Sequence, residues 1–137
     1  MEFDLPVLPK ISYDIAPFFK YCNEEHKFMM QKCTDCGKFR WPAAFICPDC
    51  LSEAYTWEEL KGTGTIYSYI VYRRAFQPDF EGHIPYVVAT VDLDEGPRFI
   101  TWLVNCEPED AECGKRVKLV WLDDKKKNFS LPAFELI

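Results

Sequence analysis

Four of the seven cysteines fall in two matching pairs, Cys33-Thr34-Asp35-Cys36 and Cys47-Pro48-Asp49-Cys50. A C-x-x-C step puts two sulfurs on one side of a tight turn. Two such turns can close a tetrahedron around one metal ion. The ten residues from Gly37 to Ile46 are expected to make a short hairpin between the knuckles. With all four corners filled by thiolates, no coordination position stays open. The chemistry implied is one structural Zn2+ held by Cys33, Cys36, Cys47 and Cys50, not Lewis-acid catalysis. A single iron in a rubredoxin-like site uses the same ligands, and ligand type does not separate the two metals.

Three cysteines remain. Cys22 is expected to be a core thiol, and Cys106 and Cys113 to be packing residues. A cysteine nucleophile needs a base beside it. The only histidines, His26 and His83, lie in separate segments, and nothing in the sequence ties either to a cysteine. The chain has no phosphate loop, G-x-G-x-x-G, H-E-x-x-H or G-x-S-x-G. The carboxylates at Asp92, Asp94 and Glu95, and at Glu107, Glu109 and Asp110, sit at turns where solvated charge is the default. Lys125-Lys126-Lys127 reads as a solvated hairpin tip.

The segment from Arg73 to Pro85 is long for a link between two strands, and long loops often carry function. It mixes Arg73 and Arg74 with Phe76, Phe80 and His83. On a continuing strand the two arginines would face opposite sides. One of them could then meet a phosphate or a partner carboxylate. An ordinary surface loop, with Phe76 and Phe80 pinning it to the core, is the alternative.

These residues need elements to position them, and the pattern predicts three regions: a helical arm over 1–30, a zinc ribbon over 31–59 and a barrel over 60–137. In the arm, Asp14 is an expected N-cap and Pro17 is tolerable in the first turn. Ile15, Phe18, Phe19 and Cys22 recur at i, i+3, i+4 and i+7, one face of a short amphipathic helix. Phe18 and Phe19 either pack on the chain's own ribbon or dock on a partner. Downstream, Tyr67 to Tyr72 reads as a strand. Val87, Ala89, Val91 and Leu93 alternate with more polar neighbours in another. Phe99 to Val104 is the return strand, Pro108 to Cys113 one helical turn, and Val117, Leu119 and Trp121 mark a fourth strand. Phe129 to Leu136 is the fifth, interrupted at Pro132 and therefore expected at an edge. The fold class expected is mainly β: an N-terminal helix, a rubredoxin-like ribbon and a five-stranded OB-type barrel.

Composition narrows the function. The 137 residues suffice for one core or two small modules. With 22 acidic and 16 basic side chains the net charge is -6, which disfavours general nucleic-acid binding. No apolar run spans a bilayer, and the acidic opening does not suit a signal peptide. The odd cysteine count and the paired knuckles fit a reducing, cytoplasmic setting.

The combination resembles a known family. The ribbon is followed by the stretch from Gly62 to Tyr69, by Arg74 to Pro78, and by Pro85 to Arg98. The run Asn105 to Asp110 and the closing Leu131-Pro132-Ala133-Phe134 fit too. Together they resemble the zinc-ribbon OB-fold family long treated as a domain of unknown function. The resemblance covers nearly the whole chain. It implies a stable hetero-oligomer, such as a heterotetramer, with a thiolase-like enzyme subunit. Acyl-CoA hydratases of the hotdog type and thiolase-like aldolases of steroid side-chain breakdown are the alternative partners. It also implies a non-catalytic scaffold role, with the barrel covering the partner's acyl-CoA entrance. On this reading the coenzyme A thioester is a ligand shared with the partner. Arg73 or Arg74 would meet coenzyme phosphates, and Phe76, Phe80, His83 and Tyr86 would lie along the channel.

Two other classes compete. Ribbons and OB folds also bind single-stranded nucleic acid, and Tyr67, Tyr69 and Tyr72 could stack bases. A standalone zinc enzyme is disfavoured by the closed thiolate set.

Overall fold

The computed structural model describes residues 1–137. One helix, α1 (Ala16–Glu25), precedes a three-stranded antiparallel sheet and a closed five-stranded barrel. The sheet is built from β1 (Met29–Cys33), β2 (Phe39–Arg40) and β3 (Tyr55–Glu59), in the order β2-β1-β3. The barrel contains β4 (Thr63–Tyr72), β5 (Tyr86–Leu93), β6 (Arg98–Val104), β7 (Arg116–Asp124) and β8 (Phe129–Leu136). Its order is β4-β5-β6-β8-β7, closed by the β4–β7 pairing. The β6–β8 contact is parallel and every other pairing is antiparallel. No helix is long and apolar enough to cross a membrane.

The helix forms on the apolar stripe the spacing predicts, but its start differs. Ile15 occupies the N-cap without a side-chain hydrogen bond. Asp14 instead accepts from Ser12 Oγ at 2.5 Å, so its oxygen is not free to cap. Phe18 is 1% exposed and Phe19 8% exposed. That overturns their expected role in partner docking. Both rings are enclosed by this chain: Phe18 meets Trp41, Phe28 and Phe99, and Phe19 meets Phe129. The helix thus ties ribbon to barrel, which is more than packing on the ribbon alone.

The barrel follows from alternation. Val87, Ala89, Val91 and Leu93 are all buried, and Phe99, Thr101 and Leu103 oppose them on the inner face of β6. Ile66, Val117 and Phe134 complete the layer. Two glycines allow β4 to cross its neighbours. A Cβ on Gly62, which also has φ +76°, would lie 2.7 Å from Leu119 Cβ. A Cβ on Gly64 would lie 2.6 Å from the Asp92 carbonyl oxygen.

Two expectations are corrected here. β8 is interior to the barrel order, between β6 and β7, not an edge. Pro132 is tolerated because its strand is paired there with Trp121 of β7, while the β6 ladder begins only at Phe134. Gly37 to Ile46 does not form its own hairpin: Phe39 and Arg40 pair backwards onto Lys32 and Gln31 of β1. Lys125 to Lys127 are exposed, as expected of a hairpin tip, although Lys127 Nζ also donates to the Leu5 carbonyl and lies 3.3 Å from Asp124.

Candidate metal centre and the loop beside it

β1 ends at Cys33, and there the chain makes the first knuckle. The Gly37 N–H donates to the Cys33 carbonyl at 2.9 Å, and the Cys33 N–H to the Lys38 carbonyl at 2.9 Å. The second knuckle repeats both bonds: Leu51 N–H to Cys47 carbonyl and Cys47 N–H to Ser52 carbonyl, each 2.9 Å. The residue after each second cysteine has a left-handed backbone, Gly37 at φ +78° and Leu51 at φ +64°. Glycine suits that conformation, and a leucine there is strained. The two knuckles are therefore one geometry built twice.

Cys33 Sγ lies 3.5 Å from Cys50 Sγ, and Cys36 Sγ lies 3.6 Å from Cys47 Sγ. All four sulfurs fall within 4.8 Å of one another. A tetrahedron with Zn–S bonds of about 2.3 Å sets S···S near 3.8 Å, so the cage fits the ion. Electrostatics give the same answer. The Cys36 N–H lowers the Cys33 thiol to about 6. The N–H groups of Cys50 and Asp49 lower Cys47. Cys50 is pushed up to about 12: the Ser52 N–H favours its thiolate, but the hydrogen bond with Cys33 and burial outweigh that. Cys36 is raised too, since burial and bonds with Cys33 and Cys47 oppose the Lys38 N–H. Two sulfurs ionise readily and two resist. A dication inside the cage lets all four carry charge.

The loop between β4 and β5 contains a 3-10 turn, Pro78–His83. The structure divides the six residues singled out from the sequence, five in the loop and Tyr86 at the start of β5, into two sets. Phe80, His83 and Tyr86 are half-buried and gather around Trp102. Phe80 stacks on Tyr86 at 5.5 Å, Tyr86 lies 5.1 Å from Trp102, and His83 lies 5.9 Å from Trp102. Arg73, Arg74 and Phe76 point away. Arg73 reaches Glu109 at 3.6 Å, Arg74 lies over the Phe76 ring at 5.6 Å, and Phe76 is 72% exposed.

Beneath the first set is a cavity of about 300 Å³, lined by His83, Tyr86, Trp102, Phe3, Asn105 and Cys106 among others. Sequence reasoning missed the last four. Trp102 was detectable, because the alternation that turns Phe99, Thr101 and Leu103 inward turns Trp102 outward. Phe3 carried no signal. The cavity brings His83 and Cys106 onto one wall, which the sequence could not do. Burial raises the Cys106 thiol, and the carboxylates of Asp110 and Glu107 raise it further. A thiol so protected is a poor nucleophile. Cys22 is fully buried, and burial pushes its thiol up to about 12, as suits a core residue. Cys113 is exposed and is not a packing residue. Of the three tyrosines considered for base stacking, Tyr69 packs against the core, Tyr67 lies under Arg98 at 3.7 Å, and Tyr72 stacks on Tyr86 at 4.8 Å.

A four-thiolate ribbon joined through a helix to a closed Greek-key barrel defines a zinc-ribbon and OB-fold protein. Comparison with known proteins agrees. Residues 24–56 match the model of the ChsH2 rubredoxin-like zinc ribbon domain, and residues 57–122 that of the ChsH2 C-terminal OB-fold domain. A DUF35 domain-containing scaffold protein of Methanocaldococcus jannaschii is 35% identical over 105 residues, which are 75% of this chain and 73% of the relative. The chain belongs to this DUF35 family of ChsH2-like zinc-ribbon and OB-fold proteins. A probable enoyl-CoA hydratase alpha subunit of Thermomonospora curvata is 39% identical over 92% of the chain. The chain spans only 38% of that relative's length. Among solved structures, a chain of the Ltp2-ChsH2(DUF35) aldolase superposes with a TM-score of 0.83 at 38% identity, covering 94% of this chain and 98% of that one.

Proposed function

We propose that this chain is a non-catalytic scaffold subunit that works bound to a larger enzyme acting on acyl-CoA thioesters. The partner is of the hydratase or aldolase type. The observation that carries this reading is the near end-to-end superposition on a chain of the Ltp2-ChsH2(DUF35) aldolase. The similarity to a hydratase alpha subunit adds to it. Those two names put a hydratase or an aldolase ahead of the thiolase that the sequence resemblance favoured.

Zinc bound by Cys33, Cys36, Cys47 and Cys50 holds the ribbon in shape and takes no part in turnover. The loop supplies the contacts to the shared ligand. Arg74 carries no carboxylate partner in this chain, and a coenzyme phosphate or a partner carboxylate is the counter-charge proposed for it. Phe80, His83 and Tyr86, braced by Trp102, set the loop's position and form the wall of the channel. Arg73 and Phe76 lie at its mouth.

The test is co-purification from the native host, followed by the intact mass of the complex. Hydration of enoyl-CoA and retro-aldol cleavage of 3-hydroxyacyl-CoA are then assayed with and without the partner. Turnover is expected from the complex and not from this chain alone. A chain that is solitary in its host, or that turns over either substrate by itself, ends the proposal.

A further inference from the structure

The outer face of β4, β5 and β6 is where an exposed sheet should be polar, since antiparallel strands with one solvated face alternate apolar inside with polar outside. It is not. Register puts Ile70, Val88 and Trp102 in one outward row across the three strands. Tyr72 and Tyr86 form the next row. Ser68, Thr90 and Ile100 form the one on the other side. None of these eight positions carries a charge, in a chain that is 28% charged. Charge returns only at the border, where Asp92 and Arg98 pair at 2.7 Å with the guanidinium over the Tyr67 ring. Phe76 extends the face beyond Tyr72, edge-on at 6.1 Å.

Tyr86 and Trp102 are partly covered by Phe80, His83 and Phe3 of this chain, and the face beyond them is open. Tyr67 is 52%, Ile70 54%, Ile100 69% and Phe76 72% exposed. With such large side chains, two aromatic and two aliphatic, offering about 150–200 Å² each, those four leave roughly 400 Å² of largely apolar surface in water. That is within the roughly 300–600 Å² of a monomer's largest patch, which is often functional, and about half of the roughly 800 Å² a stable interface takes from each side. The composition, rich in Tyr, Trp and Phe and poor in charge, is that of an interface centre.

We infer that this face docks the catalytic subunit, through an apolar patch with a cationic rim on the partner; the inference rests on the hetero-oligomer proposed above. Charge selects that occupant. The rim's Arg73 and Arg98 are neutralised by Glu109 and Asp92, while Asp79 and Glu81 of the 3-10 turn stand unpaired. A second copy would bring two chains of net charge -6 together with those carboxylates facing one another. A cationic rim is attracted instead. A nucleic acid would find Arg74 as the one unpaired cation at this face.

The experiment uses the full chain with zinc bound and the catalytic subunit recovered with it. Ile100→Glu and Phe76→Ala are compared with wild type and with Tyr13→Glu, which alters an exposed residue beside the ribbon. Zinc content and circular dichroism establish folding, and binding is read by interferometry. Ile100→Glu is expected to weaken association about 30-fold or more, Phe76→Ala less, and Tyr13→Glu not at all. Undiminished binding by both face variants overturns the inference while leaving the proposed function standing. No partner for wild type overturns both. A wild-type homodimer abolished by Ile100→Glu, or salt-sensitive binding of a single-stranded oligonucleotide lost with it, assigns the face to another occupant and also overturns it.

Discussion

The ribbon and the barrel are folded by different means. The barrel encloses a continuous hydrocarbon layer, from Ile66 and Val91 through Phe99 to Val117 and Phe134. The ribbon's own interior is nearly polar. Apart from Met29 and Met30, of which Met30 joins the main core cluster, its buried residues are Cys33, Cys47, Ala43, Gln31 and Arg40. Arg40 Nε donates to Gln31 Oε1 at 2.7 Å, Arg40 Nη2 to the Ala44 carbonyl at 3.0 Å, and the Ala44 N–H to the same Gln31 oxygen at 2.9 Å. Such a network fixes shape but supplies little burial energy. The four sulfurs must supply the rest, so stability of the ribbon is conditional on metal and that of the barrel is not.

The largest effect should come from breaking the cage. Apparent zinc binding in small thiolate sites is on the order of 10–16 kcal/mol, more than the whole stability of a typical domain. Cys36→Ser, or a strong chelator, is expected to unfold residues 29–59 and release one zinc per chain. Strand signals from β5 and β6 should persist. Hydrogen exchange separates the two regions, and an ordered metal-free ribbon would contradict the comparison. The converse change is Phe134→Ala, which empties the centre of the barrel. It should cost about 3–5 kcal/mol, read as a lower denaturant midpoint. The knuckles should keep zinc until the barrel melts.

A smaller effect tests the polar interior. Gln31→Leu leaves the Arg40 Nε and the Ala44 N–H without their shared acceptor, beside an Arg40 Nη1 that already has no partner. Buried unsatisfied donors cost about 1–3 kcal/mol each. Because only the zinc-bound ribbon assembles this network, the loss should appear as weaker zinc affinity in a competition titration. Barrel stability should be unchanged.

The same contrast explains what could be read in advance. The cage was legible because four residues of one type at fixed spacing do one thing. β5 was legible because Tyr86 to Leu93 alternates without a fault. Misreadings fell where one residue answers to two constraints. Pro132 argues for an edge until the short β6–β8 ladder shows how a closed barrel accommodates it. Phe18 and Phe19 look like excess apolar surface until Trp41 and Phe99 cover the first and Phe129 the second, and none of those is near in sequence. The cavity wall at Phe3 and Cys106 arises from contacts across about the whole chain, which no local pattern records. The outward row of Ile70, Val88 and Trp102 needs the register of three strands before it becomes one surface.

Acid offers the gentlest discrimination between the regions. Asp124 is 3% exposed and accepts from the Lys127 N–H at 3.0 Å and the Leu5 N–H at 2.9 Å. Those bonds, the Lys127 one foremost, hold its carboxyl below the ordinary value. A depressed folded value means the stabilisation is present above the unfolded carboxyl's pKa, about 3.9, and is lost as pH falls through the lower folded one. Leu5, packed on Leu122 and Ala133, should then detach from the barrel before the barrel itself opens. Zinc must leave earlier, because protons compete for thiolates from an ordinary thiol value of about 8.5. A titration from pH 7 downward should therefore lose the metal first and Leu5 amide protection only below about pH 4. Asp124→Asn should expose that amide already at pH 7 without releasing zinc.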